Sequence, residues 1–357
     1  MSSSDVKYIG LDVHKEAIPI AVLNGAGKLV MESIVETKAC TLLDFLHGLR
    51  GELHVTLEEG TWAAWLYDVL KPHVREVVVC NPRRNALLKE GSKNDKVDAR
   101  RLAELLRSGM LRAVYHGENG LRTLRELARS YEVVSKDTKR VMTRIKALYR
   151  SWGVSCTGTQ VYSRRHREQW LNKINEAGVR RRAELFYQQL DGLQTLRRTV
   201  RGELLAESRK HQAVKVLRQI PFIGPLRAAQ LVALMQTPHR FRSKRQLWTY
   251  SGLAVETHDS AQYRYVDGQL QRSKKPQQVR GLNQNHNHAM KEIFKGAALS
   301  ATLRAGPFQN FYQGLLDRGM KPELARVTLA RKIAAVTLTL WKKGARFDAG
   351  YVKRQAA

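Results

Sequence analysis

Three short runs rich in isoleucine and valine crowd into the first 35 residues: Tyr8–Val13, Ile18–Leu23 and Leu29–Val35. The links between them are too short to hold a helix, so the runs are expected to fold back on one another as an antiparallel meander. The second link, Asn24-Gly25-Ala26-Gly27, is a turn signal. After Val35 the period changes. Thr41–Leu49, ended by Gly51, predicts a helix, and Leu53–Leu57 a fourth strand. Thr61–Leu70 reads as a helix stopped by Pro72, and Glu76–Cys80 as a fifth strand closed by Asn81-Pro82. Asp95–Leu106 predicts a last helix, with Val97, Leu102, Leu105 and Leu106 roughly at helical spacing. The predicted order is βββαβαβα, an α/β domain.

Beyond residue 120 the pattern is helical. Residues 121–215 are long, charged and periodic (Leu121, Leu124, Leu127, Ala128), and a polar break at Gly153–Gln160 divides them into two long helices. A helical hairpin or coiled-coil arm is expected, either as a solvated helix pair or as a dimerisation arm that also follows a phosphate backbone. Ile220-Pro221-Phe222-Ile223-Gly224-Pro225, then Leu226–Met235, resembles half of a helix-hairpin-helix element. Such a turn offers backbone N–H groups to a phosphate, or serves as a plain tight connection. Lys244–Leu253, Gln284–Leu303 and Glu323–Trp341 read as helices around a polar stretch, Glu256–Gly281. The expected boundaries are 1–115 for the α/β domain, 116–215 for the arm and 216–357 for a mainly α-helical C-terminal domain.

Charge divides along the same lines. The chain has 357 residues, 62 Lys+Arg and 32 Asp+Glu, a formal net charge of +30. Residues 1–120 carry 16 basic and 16 acidic side chains, residues 121–210 carry 21 and 9, and residues 211–357 carry 25 and 7. The whole excess therefore lies after residue 120. It points to a polyanionic partner, with nucleic acid ahead of an anionic membrane surface. No apolar run reaches the ~18–20 residues of a membrane span, and Met1–Lys7 lacks a secretory layout. Cys40, Cys80 and Cys156 form no CxxC or zinc spacing, so a reduced, cytoplasmic setting is expected.

Four acids fall on the balanced domain. Asp12 interrupts the apolar run Ile9-Gly10-Leu11-Asp12-Val13, where a carboxylate is costly unless it is paired or binds metal. Glu58 follows the fourth strand, and Asp95 and Asp98, three apart, share a face of the last helix. Singly, each has an ordinary explanation: a strand-end cap, a solvated Glu58-Glu59 pair, a helix N-cap at Asp95. Jointly, four converging acids need a divalent cation, and hard oxygen ligands fit Mg²⁺ or Mn²⁺. Two such ions cleave phosphodiesters.

Tyr8-Ile9-Gly10-Leu11-Asp12-Val13-His14-Lys15, the Leu57-Glu58 step, Asn81-Pro82-Arg83-Arg84 and Lys93-Asn94-Asp95-Lys96-Val97-Asp98-Ala99-Arg100 together resemble the RuvC-like domain of the DEDD-type insertion-sequence transposases. That family includes bridge-RNA-guided recombinases and Piv-type DNA invertases. Ile220 through Gly224, with Phe241, Leu247 and Gly252-Leu253, resembles the family's second domain. The resemblance implies an RNase H-like fold for residues 1–110 with Asp12, Glu58, Asp95 and Asp98 as metal ligands. It also implies a serine nucleophile, whose best positional match is Ser260, with Ala261 where the family has glycine.

Ser260 lies beside His258 and Asp259. Its rivals are Ser251, where a helix-end role is more natural, and Tyr263 or Tyr265, which otherwise form a strand face or a base-stacking platform. His286 and His288 are candidates for metal or for polar contacts. The expected function is a transposase or recombinase that cuts and exchanges DNA strands. Its implied partners are donor and target DNA, a non-coding guide RNA and further copies of itself in a dimer or tetramer, with no membrane, at the nucleoid when bound to DNA. The alternatives are a RuvC-like metal-dependent junction endonuclease and a non-catalytic nucleic-acid-binding protein.

Overall fold

The computed structural model describes residues 6–82, 95–114, 120–258, 263–266, 269–272 and 278–353. They form two compact units, Met1–Glu118 and Asn119–Ala357.

The first unit is built on a five-stranded mixed sheet. Strands β1 (Val6–Leu11), β2 (Ala17–Asn24) and β3 (Leu29–Glu36) are antiparallel neighbours, while β4 (Glu52–Glu58) runs parallel to β1 and β5 (Glu76–Cys80) parallel to β4. The order is β3-β2-β1-β4-β5. The β2–β3 turn closes where Asn24 Oδ1 accepts the Lys28 amide at 2.9 Å and Gly27 takes φ +84°, which suits glycine. Helices α1 (Ala39–His47) and α2 (Ala63–Leu70) fill the crossovers, and α3 (Asp95–Arg107) closes the unit.

Strand alternation assigns the two faces of the sheet. Ile9 and Leu11 of β1, Ile18, Ile20 and Val22 of β2, and Leu53, Val55 and Leu57 of β4 share one buried cluster with Leu42 and Leu46 of α1 and Leu66 and Leu70 of α2. The opposite face presents Gly10, Ala21 and Thr56, and α3 lies on it with Ala99, Leu102 and Ala103 buried. Contact there is backbone to backbone. A β-carbon at Gly10 would lie 2.1 Å from the Ala99 carbonyl oxygen and 2.7 Å from the Ala103 nitrogen.

The second unit begins with two long antiparallel helices, α4 (Arg122–Ser151) and α6 (Ala177–Ser208), joined through the short α5 (Arg167–Leu171). Their ends belong to different cores. Leu124, Ala128 and Tyr131 pack with Leu204 and the C-terminal helices. At the far end Ile145, Leu148 and Tyr149 pack with Trp170, Ala183, Tyr187 and Leu190 in a separate cluster. There the Tyr187 hydroxyl donates to the Val161 carbonyl at 2.9 Å, and Arg167 grips Asp191 through two bonds of 2.8 Å.

The remainder of the second unit packs α7 (Gln212–Leu217), α8 (Pro225–Met235), α9 (Lys244–Tyr250), α10 (His288–Thr302), α11 (Pro307–Leu316) and α12 (Pro322–Lys343), with α13 (Gly350–Lys353) at the end. Between α9 and α10 the polar stretch forms two ribbons the periodicity did not announce. Strand β6 (Val255–His258) pairs with β9 (Gln278–Leu282), and β7 (Tyr263–Val266) pairs with β8 (Gln269–Arg272).

Helix α12 contains a buried cation. Lys332 is 4% exposed, its Nζ lies 5.3 Å from the centre of the Phe311 ring, and no hydrogen-bond acceptor meets it among the described residues. Burial, helped by the charge of Lys244, pushes its ammonium down to about 8. The unfolded chain then holds the proton more tightly, so stability rises as pH climbs from about 8 towards the ordinary lysine range. Lys332→Met keeps the volume and removes the charge. It should stabilise the second unit by about 2 kcal/mol at pH 7 and flatten that rise, as read by thermal unfolding from pH 7 to 10.

Candidate active site

The ladder between β1 and β4 ends on the pair Leu11 and Leu57, so the next residues, Asp12 and Glu58, stand side by side where both strands stop. Strand β1 ends one step before Asp12, and the Asp12 amide still donates to the Pro19 carbonyl at 3.0 Å. By alternation Asp12 and Glu58 belong to the face of Gly10 and Thr56, the face that α3 covers.

The direction of α3 decides which of its ends meets them. At its C-terminal end Arg107 lies against Gly27, where a β-carbon would be 3.0 Å from Nε. Gly27 belongs to the β2–β3 turn, at the start of β1, where Lys7 pairs with Asn24. The N-terminus of α3 therefore lies over the end of β1. Leu102 sits above Gly10, its β-carbon 3.0 Å from where one on Gly10 would be. Asp98 is one turn earlier, about 6 Å along the helix, which matches the ~6.6 Å from Gly10 to Asp12 along the strand. Asp95 is the first residue of α3; its side chain lies outside the described residues. The fold thus brings Asp12, Glu58 and the acidic start of α3 to one edge of the sheet.

The acids are not surrounded by bulk water. The Asp12 side chain is 19% exposed, and its Oδ2 is 3.1 Å from His14 Nε2. One Glu58 carboxylate oxygen is fully buried. Asp12, Glu58 and Asp98 are all engaged in polar interactions. Among the described residues no three His, Cys, Asp or Glu side chains are drawn into a ready-made cation cage. The donor set is nonetheless all hard oxygen and half desolvated, which suits a small divalent ion in place of the present partners.

Two contributors escape a reading of the sequence alone. His14 is one, and its signal is the Asp-x-His spacing, which at strand periodicity places both side chains on one face. Gly10 is the other. A glycine inside a strand flags close backbone approach, and here it lets the helix that bears Asp95 and Asp98 lie directly on the strand that bears Asp12.

In the second unit, Ser251 follows α9 and is fully buried, its hydroxyl donating to the Leu247 carbonyl at 2.7 Å. It finishes a helix and faces no open space. Ser260, with Asp259, lies outside the described residues. Tyr263 and Tyr265 are on β7, paired with Arg272 and Leu270 of β8.

His286 packs against Gly252, whose φ is +63° and where a β-carbon would be 2.4 Å from the ring. Burial and the charge of Lys291 lower its pKa. Its ring centre is 4.3 Å from that of His288. The Ile220–Gly224 turn links α7 to α8 with Phe222 at φ +69°, a strained value for a bulky residue. Its carbonyl is held at 2.8 Å by Arg227, which also reaches Ser300 Oγ at 3.3 Å.

Residues 9–151 match a family model of the DEDD type of IS110, described as a transposase. Residues 214–313 match a second, described as the transposase IS116/IS110/IS902 family. A transposase for insertion sequence element IS1533 from Leptospira borgpetersenii is 33% identical over 109 residues, which cover 28% of this chain and 31% of that relative. The similarity thus spans about a third of the curated relative's length.

Proposed function

We propose, since the chain belongs to the IS110-type family of DEDD transposases, that its first unit is an RNase H-like nuclease centre and that the whole chain cuts and rejoins DNA. The observation that carries this reading is the meeting of Asp12 and Glu58 at the ends of parallel neighbours, beneath the acidic start of α3. The strand order β3-β2-β1-β4-β5 supports it, as does the match over residues 9–151, which contains all four acids.

Asp12, Glu58, Asp95 and Asp98 would hold Mg²⁺ or Mn²⁺. Such ions, when bound, neutralise charge on the phosphate and activate the attacking and leaving oxygens. The protein's own part begins with His14, which keeps the Asp12 carboxylate oriented through its 3.1 Å contact. The strand ends and α3 fix the spacing of the acids. The basic arm and C-terminal region hold nucleic-acid backbones, and that binding falls steeply with salt.

Ser260 is the proposed nucleophile. Its oxygen attacks phosphorus, a serine–phosphate ester forms, and the phosphorus–oxygen bond to the adjoining nucleotide breaks. The serine proton goes to a base, and the leaving strand end takes one up as a hydroxyl. Attack by a hydroxyl of another strand reverses the step, so strands are exchanged without ATP. A guide RNA that selects sites by base pairing, and assembly of several copies, complete the proposal. Among the described residues no helix is long and apolar enough to cross a membrane.

The test is incubation with donor DNA, the flanking RNA of the element and Mg²⁺, followed by denaturation. A covalent protein–DNA adduct is expected. Ser260→Ala should abolish it. Ser251→Ala should leave it and cost about 1 kcal/mol of stability or less, because the buried hydroxyl only back-bonds to Leu247. Free cleaved ends without an adduct would mark a junction endonuclease instead, and tight binding without cleavage a non-catalytic binder.

A further inference from the structure

At the far end of the helical pair, α4 and α6 enclose a cleft of about 500 Å³. Arg144, Ala147, Leu148 and Ser151 line it from α4, and Arg182 and Phe186 from α6. The α4 residues recur at spacings of three and four, so they form one stripe, and Arg182 and Phe186 are one turn apart. Leu148 is buried and forms the floor, while Phe186 is half-buried with the Arg182 guanidinium 5.4 Å from its ring centre.

The two arginines differ from the cations around them. Lys146 donates to the Gly158 carbonyl, Arg150 to that of Cys156, Arg180 to Glu168 and Arg181 to Glu184. Arg144 and Arg182 have no carboxylate or hydrogen-bonded partner among the described residues, and no acid lines the cleft. Two exposed guanidinium forks therefore flank an apolar wall with one aromatic ring.

We infer that this cleft binds a nucleotide of a single strand, its phosphate between Arg144 and Arg182 and its base against Phe186. The forks suit a phosphate, which accepts paired N–H donors. A bare phosphate leaves the ring and the Leu148 floor unused, and a duplex keeps its base faces stacked away from any side chain. An unstacked base has a free face for Phe186, whatever its identity. The inference rests on the nucleic-acid-handling role proposed above, and it adds a site remote in sequence from both Asp12 and Ser260.

The experiment measures fluorescence anisotropy of the full-length protein with oligothymidylate, oligouridylate and a duplex of equal length, across a salt series. Two variants accompany the native chain: Arg144→Ala/Arg182→Ala and Phe186→Leu. The double arginine variant should bind both single strands about tenfold more weakly, with a salt slope smaller by about 0.7 for each phosphate it no longer neutralises. Phe186→Leu keeps an apolar side chain but removes the ring face, so it should weaken single strands about tenfold and leave duplex binding within twofold. A greater weakening for oligouridylate than for oligothymidylate assigns the cleft to RNA, and the reverse to DNA.

Single-strand affinities of both cleft variants within twofold of native overturn the inference. So does an equal weakening for duplex and single strands in Phe186→Leu. A change in sedimenting mass of the double variant without a change in binding also overturns it, because the face is then an interface between copies. DNA cleavage by the native protein keeps the two ideas apart: no cleavage, with single-strand binding still weakened in the cleft variants, sinks the nuclease reading and leaves the cleft standing.

Discussion

Asp12→Asn should lower metal-dependent DNA cleavage on the order of 10³-fold while leaving nucleic-acid affinity within twofold of native. Asparagine preserves the shape of the side chain and an oxygen 3.1 Å from His14, but removes the charge that a hard cation requires. The ladder of β1 is complete at Leu11, so the substitution breaks no strand pairing and the melting temperature should not fall. Affinity should survive because residues 1–120 are electrically balanced and the surplus of basic side chains lies beyond them. Single-turnover cleavage in Mg²⁺ and in Mn²⁺, beside a binding isotherm on the same DNA, reads both quantities. Cleavage within tenfold of native would remove Asp12 from the metal site. A parallel collapse of binding would refute the separation of cutting from holding.

Gly10→Ala should be the most damaging single methyl in the first unit. The added carbon meets backbone on α3, the Ala99 carbonyl oxygen at 2.1 Å and the Ala103 nitrogen at 2.7 Å, and backbone cannot rotate out of the way as a side chain does. Relief requires α3 to lift from the sheet, which breaks the packing of Leu102 and Ala103 and carries Asp98 away from Asp12. The expected destabilisation is about 3 kcal/mol, at the upper end for overpacking. Gly48→Ala is the control, since its φ is −70° and the new carbon would be 3.4 Å from its nearest neighbour. Its effect should stay within about 0.5 kcal/mol. Urea unfolding followed by far-ultraviolet dichroism compares the two, and equal midpoints would refute the account of α3.

The strands of the first unit are legible in the sequence because each is an apolar run bounded by a turn or a proline. The register of the meander follows from the short links and the buried Ile9, Leu11, Ile20 and Val22. The adjacency of Asp12 and Glu58 is legible only in outline. Periodicity locates both strands but not the parallel pairing of Leu11 with Leu57, which is a contact 46 residues apart along the chain. The β6–β9 and β7–β8 ribbons escape for a different reason. Val255–His258 and Gln278–Leu282 have little apolar alternation, and their strand character comes from pairing with each other. At His286 polarity misleads: the ring lies on Gly252, and the close approach that a glycine of φ +63° permits is invisible in a string of residue types. Ser251 is readable as a helix end, because a serine at the close of a helix back-bonds to the carbonyl four residues earlier.

The pairing of β1 with β4 also has a bearing on how the nascent chain matures. The two hairpins of β1, β2 and β3 are local and can close within microseconds of leaving the ribosome. Asp12 and Glu58 become neighbours only when a loop of more than forty residues has closed, and α3 lies downstream of both. A translating ribosome therefore carries a meander in which Asp12 is set beside His14 but not yet beside Glu58. Asp12, Glu58 and the start of α3 come together only after Arg107 has been made, so the proposed metal site forms late in the folding of this unit, when its last helix settles on Gly10.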